Sequence, residues 1–189
     1  MLVYSMTVSV DGFVTDRGGD IGFSTPSDEV FAAHHDEVAS LGAYLLGRRL
    51  YEAMLVWETD PAFRRTAAHA AFADVWCALP KVVFSQTLGT VSGNARLATG
   101  SVAEEVDAAL AAADGDVSIG GPDLAAQAFG LGLVDELRVF RAPAVVGGGT
   151  PYLPPVGTTL AFDLVEARPF DNGIVLERYR RTGAGRAQR

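Results

Sequence analysis

At 189 residues, with 49% hydrophobic and 20% charged side chains, the chain suits one soluble globular domain, because a single core commonly serves about 100 to 200 residues. No apolar run reaches the roughly 20 residues that a membrane-spanning helix needs, and a net charge of −8 disfavours nucleic acid, whose phosphates demand dense Lys and Arg. Cys77 is the only cysteine, too few for an internal disulfide or a multi-cysteine metal site, and residues 1–4 lack the basic start and apolar stretch of a secretion signal, so a cytoplasmic location is expected.

Residues 2–8 read as a short apolar strand, followed by a long Gly- and Asp-rich loop over residues 9–22. Ser27 or Asp28 caps a helix whose apolar positions Val30, Phe31, His34, Val38 and Leu41 recur at helical spacing. Residues 43–46 form a brief buried strand that runs into Gly47. The Ala- and aromatic-rich stretch 61–78 is expected to be helical in part, and residues 81–84 form the next strand. Val102, Val106, Leu110 and Ala113 mark a second amphipathic helix, and residues 117–119 a strand that enters Gly120-Gly121. Pro122 suits the first turn of the helix that follows, with Leu124, Ala128 and Phe129 on its apolar face. Strand character returns at 136–141, 160–166 and 174–180. Strands alternating with helices, then a strand-only end, predict an α/β domain with a mostly parallel sheet and antiparallel C-terminal strands. That domain spans residues 1–181, with a flexible tail over 182–189.

Several chemistries lack their residues. There is no dinucleotide fingerprint of three spaced glycines and no phosphate loop ending in Gly-Lys-Ser/Thr. The segment Gly89-Thr90-Val91-Ser92-Gly93 has the wrong spacing for a nucleophile elbow. One cysteine cannot build the zinc site of a nucleobase deaminase. His34 and His35 are adjacent on a helix and point about 100° apart, which argues against a shared metal; no metal is expected.

Four segments carry candidate chemistry. Ser9-Val10-Asp11-Gly12 lies where the first strand opens into the long loop, and its glycine lets backbone approach a flat ligand; an ordinary turn is the alternative. Gly47-Arg48-Arg49 follows a strand and opens a helix, aiming N–H and guanidinium groups at an anion. Arginines at a helix start are otherwise disfavoured by the dipole. Ser85-Gln86-Thr87 follows a strand end with three hydrogen-bonding side chains, and also reads as a turn. Gly120-Gly121-Pro122 joins a strand to a helix N-terminus, where missing Cβ atoms open the amides to a pyrophosphate. A further stretch, Leu133 to Leu137 with Pro143 and Gly147-Gly148-Gly149-Thr150-Pro151, reads as a strand start and a glycine-rich loop.

In this order and spacing, the segments resemble the dihydrofolate reductase superfamily, in the branch that holds the reductase domain of bacterial riboflavin synthesis, over about residues 2–179. The resemblance implies a three-layer α/β/α fold and NADPH-dependent reduction of a small heterocyclic metabolite. The implied substrate is a ribosylaminopyrimidine such as 5-amino-6-(5-phosphoribosylamino)uracil, with dihydrofolate or another pterin next; a non-catalytic module that binds a nucleotide or small molecule is the rival. It implies cofactor contacts at Gly47, Arg48, Arg49, Ser85, Gln86, Thr87, Gly120, Gly121, Pro122 and Leu124. Substrate contacts fall on Ser9, Asp11 and Gly12, and the catalytic candidates are Asp11 and Asp28. The family usually has threonine at Leu50, and many relatives carry arginine at Gln86, which bears on NADPH preference. The resemblance also implies a homodimer, with residues 134–140 as the expected pairing strand and Glu136 opposite Arg138 of its mate.

Overall fold

Strand β1, Leu2–Val8, is built of residues that prefer extended backbone, and its neighbours come from far along the chain. The others are β2 Leu41–Gly47, β3 Lys81–Phe84, β4 Ala95–Leu97, β5 Asp116–Gly120, β6 Glu136–Arg141, β7 Phe162–Pro169 and β8 Val175–Arg181. They make one sheet in the order β4-β3-β2-β5-β1-β6-β8-β7. Pairing is parallel from β4 through β6 and antiparallel where β8 joins β6 and β7 joins β8. This computed structural model describes residues 1–183; the expected tail beyond Gly183 lies outside the described residues.

Among the described residues six α-helices cover the two faces: α1 Asp28–Ala39, α2 Arg48–Met54, α3 Val56–Thr59, α4 Ala67–Ala78, α5 Val102–Ala112 and α6 Pro122–Gly130. Alternation along each strand decides which residue meets which layer. Leu2, Tyr4, Leu45, Val82, Val117 and Ile119 pack with Val106 of α5 and Leu124 and Ala128 of α6. On the opposite face, Leu46 and Val83 meet Phe72 and Trp76 of α4, while Phe140 meets Val30 of α1. Each such side chain, buried almost completely, contributes about 1.5 to 3 kcal/mol. The three layers of the expected fold are therefore present.

Two local expectations are corrected. Leu41 belongs to β2 and not to α1, because Ser40 ends the helix: its N–H reaches Asp36 and Glu37 carbonyls, and its hydroxyl donates to the Glu37 carbonyl at 2.7 Å. Leu41 is then free to pair with Asp116. β4 had no counterpart in the sequence reading, since three residues are too few for alternation to show; the edge of β3 recruits them, pairing Lys81 to Val83 with Ala95 to Leu97.

The expected dimer strand is also corrected. β6 lies inside the sheet between β1 and β8, with no free edge. Glu136 is fully buried and receives Arg138 Nε at 2.8 Å, Arg178 Nη2 at 2.8 Å and Arg180 Nη2 at 3.0 Å, all from its own chain. Phe140 is a core residue. Burial of Glu136 is tolerable because three guanidinium groups hold it as the carboxylate, with its pKa below the usual range despite desolvation.

Candidate active site

Open parallel sheets bind ligands beyond the carboxyl ends of their strands, where loops meet helix N-termini. Three of the sequence-predicted segments arrive there side by side. Gly47 pairs with Phe84 at the end of β3, and Leu46 pairs with Gly120 at the end of β5. Since β3, β2 and β5 are consecutive in the sheet, residues 85–87, 47–49 and 120–122 share one mouth.

Arg48 ties two of these segments together. Its Nη1 donates to Thr87 Oγ1 at 2.5 Å and its Nε to Glu52 Oε1 at 2.8 Å. Ser85 Oγ accepts the N–H groups of Thr87 and Leu88 at 3.2 and 3.0 Å, so it shapes the turn and keeps its own proton to donate. Gln86 stands exposed on that turn. Arg49 is 93% exposed, with its nearest carboxylate, Asp123, at 3.9 Å, which leaves its guanidinium open to an anion.

Gly121 is the N-cap of α6 at φ +94°, a conformation open to glycine and costly for other residues. It supplies no side-chain cap, and Pro122 lacks an N–H, so the first-turn N–H groups of Asp123 and Leu124 have no intrahelical acceptor. Such a terminus fits a pyrophosphate. Two expectations need correction here. The Leu124 side chain is buried in the core, so only its backbone can serve a ligand. A Cβ at Gly120 would run into Leu50 Cδ2 and come within 2.9 Å of the Tyr44 hydroxyl; its missing side chain makes room for the protein's own atoms and not for a phosphate.

The loop after β1 is occupied with structure. Ser9 is fully buried, donates its N–H to the Phe13 carbonyl and accepts the Phe13 N–H on Oγ at 3.0 Å. The Asp11 carboxylate accepts the N–H groups of Val146 and Gly147 at 3.1 and 2.8 Å. A hydrogen bond from Ser9 first, then these amides, hold its pKa below the usual range, so it suits a clip and not a proton donor. Gly12 accepts the Tyr152 N–H on its carbonyl at 2.9 Å. Ser9 is thus enclosed where a substrate contact was expected, while the exposed Asp11 is held by the amides of residues 146 and 147. Asp28 stands exposed in the first turn of α1, where negative charge favours the helix dipole.

Between α1 and the sheet lies a surface that sequence reasoning missed. β1 has a neighbour on each side, yet Ser5, Met6 and Thr7 are only half-buried, in contrast to Leu2, Val3 and Tyr4. The Tyr44 hydroxyl reaches this level over Gly120, with Ser118 opposite Tyr44 on β5; burial pushes its pKa up to about 12, so it keeps its proton. Aromatic rings stand beside it: Phe31 of α1 lies 5.8 Å from Trp57 of α3 and 5.0 Å from His69 of α4. A tyrosine in an otherwise apolar strand just before Gly-Arg was the available signal. The histidines are separate: His34 lies 4.0 Å from the Phe140 ring and burial pushes its pKa down to about 4, while His35 meets Asp36.

A family profile described as the RibD C-terminal domain matches residues 1–176. The chain belongs to the RibD C-terminal domain family. The chain is also similar to an uncharacterized protein, YyaP, of Bacillus subtilis (strain 168), 24% identical over 184 residues, covering 92% of this chain and 91% of that one. Among solved structures, a protein named for riboflavin biosynthesis from Shewanella sp. PV-4 superposes with TM-score 0.74 at 19% identity, covering 95% of this chain and 98% of its own. Dihydrofolate reductase from Enterococcus faecalis, complexed with NADP(H), superposes with TM-score 0.62 at 15% identity over 96% of both chains. The RibD-type domain therefore has the dihydrofolate reductase-like fold that the four segments implied. No helix among the described residues is long and apolar enough to cross a membrane.

Proposed function

We propose that this RibD-family domain is a reductase that takes hydride from NADPH and reduces a small heterocyclic metabolite, foremost a ribosylaminopyrimidine of the riboflavin pathway type. The observation that carries the reading is the uncapped N-terminus of α6 at Gly121, flanked at one mouth by Arg48, Arg49 and Thr87. Bound there, a nicotinamide cofactor supplies hydride to an electron-poor carbon. The α6 amides would hold its pyrophosphate. Arg48, Thr87 and Ser85 would hold the phosphate at its adenosine end. The likeness in fold to a dihydrofolate reductase complexed with NADP(H) supports the same choice. A cytoplasmic homodimer goes with this reading.

Isothermal calorimetry tests it directly: NADPH should bind with a clear heat at low salt, and more tightly than NADH. Absence of binding at millimolar cofactor would leave the non-catalytic module as the better description. With binding established, NADPH consumption is measured with 5-amino-6-(5-phosphoribosylamino)uracil and with dihydrofolate, and faster turnover of the first is the expected result.

A further inference from the structure

Reduction of a carbon–heteroatom double bond needs a proton as well as hydride, and the Asp11 carboxylate is already engaged by the amides of residues 146 and 147. Another carboxyl lies against the sheet. Glu37, on the inner side of α1, accepts the hydroxyl of Ser5 of β1 on Oε2 at 2.9 Å. Ser5 follows Tyr4, and Gly120 follows Ile119, the β5 partner of Tyr4; both therefore project to the same face at the same level. That is the level at which the Tyr44 hydroxyl overlies Gly120, and Glu37 and Tyr44 are close enough to interact electrostatically. Ser5 is half-buried, unlike the three residues before it.

The charges facing Glu37 come from several elements. Arg138 of β6 already holds Asp116 Oδ2 at 2.7 Å and Glu136 Oε1 at 2.8 Å, so Glu37, at 3.4 Å, is its third and loosest carboxyl. Arg178 of β8 acts from farther away, bound to Glu136 and Glu166. Tyr44 and Tyr152 also feel Glu37 and are disfavoured as phenolates by it. Desolvation outweighs the arginines, and the Glu37 pKa lies above the usual carboxylate range.

We propose that Glu37 and Ser5 form the proton-supplying pair of this domain, Ser5 touching the substrate and Glu37 acting through it. The proposal rests on the reductase reading. As hydride from the nicotinamide cofactor adds to carbon, the π pair moves to the heteroatom. The Ser5 hydroxyl turns from Glu37 to that atom and gives it its proton, while Glu37 gives its own to the Ser5 oxygen. The carboxylate left behind is held by Arg138 and regains a proton from solvent. Glu37 is then a positioning residue and proton reservoir, and it must be protonated to act, so turnover falls as pH rises through its pKa.

The test compares the full-length protein with Glu37→Gln, Ser5→Ala and Ser5→Thr. In Glu37→Gln, turnover should fall about 100-fold, the scale of general acid catalysis, and the decline with rising pH should disappear. NADPH affinity, read by calorimetry, should stay as in the parent, which also reports that the variant is folded. Ser5→Ala should lose turnover similarly and Ser5→Thr should keep it. Independently of turnover, the parent should show the infrared carbonyl band of a protonated carboxylic acid that persists to higher pH than that of an exposed carboxyl, missing in Glu37→Gln. Absence of that band in the parent, or an unchanged rate and pH profile in Glu37→Gln with NADPH still bound, overturns the proposal. A parent that binds no NADPH overturns the reductase reading itself, a separate result.

Discussion

Glu105, almost fully buried at the first turn of α5, shows how much one carboxylate can organise. It accepts Arg96 Nη2 at 2.5 Å and the N–H groups of Thr99 and Gly100 at 2.7 and 3.0 Å. Arg96 above all, then these amides, hold its pKa at about 2, against the effect of burial. A depressed folded value means that the stabilisation is complete above the ordinary value of 4.5 and is lost as pH falls toward 2. Glu105→Gln should therefore cost about 1 to 2 kcal/mol at neutral pH once solvent screening is allowed for, and the gap from the parent should close in urea titrations at progressively lower pH. At the cofactor mouth, Gln86→Arg should strengthen NADPH over NADH by about 1 to 2 kcal/mol, because only the 2′-phosphate offers the new guanidinium a charge-assisted partner. Equal gains for both cofactors in calorimetry would remove Gln86 from that site. Leu50→Thr should also tighten NADPH, since Leu50 Cδ2 now covers Gly120 and a hydroxyl there could face the pyrophosphate; an unchanged dissociation constant would show that Leu50 points elsewhere when cofactor is bound.

Among the elements, the turn from β5 into α6 carries the clearest prediction. Gly121→Val must place a branched residue at φ +94°, a strain of about 1 to 3 kcal/mol, and should lower the unfolding midpoint while leaving a folded protein. Its NADPH affinity should fall further than that strain explains, because the same Cβ stands beside Gly47 at 3.7 Å across the mouth. Parent-like binding would dismiss the α6 terminus as a cradle. The elements that were legible in the sequence are those whose own residues determine them. β1 and β3 are composed largely of residues that favour strands, and Ser27 announces α1 by capping it. What stayed hidden depends on partners distant in sequence. β4 exists only because β3 has an open edge, and Ser9 and Asp11 serve Phe13 and residues 146–147 where a linear reading sees an exposed ligand loop. Glu37 is equally invisible, since its polar position on α1 reads as a solvated face until Arg138 and Ser5 are brought against it.

At the level of the whole molecule, a dimer must use a surface other than β6. β7 is one of the two outer strands of the sheet, and it exposes Leu164 at 57% and Val165 at 46% beside a register irregularity. Light scattering should report twice the 19.9 kDa chain mass, and Leu164→Lys with Val165→Lys should shift it toward monomer by charging an apolar edge. Phe140→Asp, in contrast, should unfold the chain, because it places an unpaired charge in the core. A pairing that survives the double lysine change would locate the contact elsewhere. The central place of β1 has a further consequence for the way the protein is made. β1 leaves the ribosome ahead of both strands that it pairs with, yet Leu2 bonds Asp135 across 133 positions and lies opposite Val117 of β5. An apolar strand with no partner must wait through most of translation, so the sheet closes late, in one step, after its last parallel neighbour has emerged. Nascent chains arrested before residue 136 should be held by chaperones or digested readily by protease, and chains released past β8 should resist.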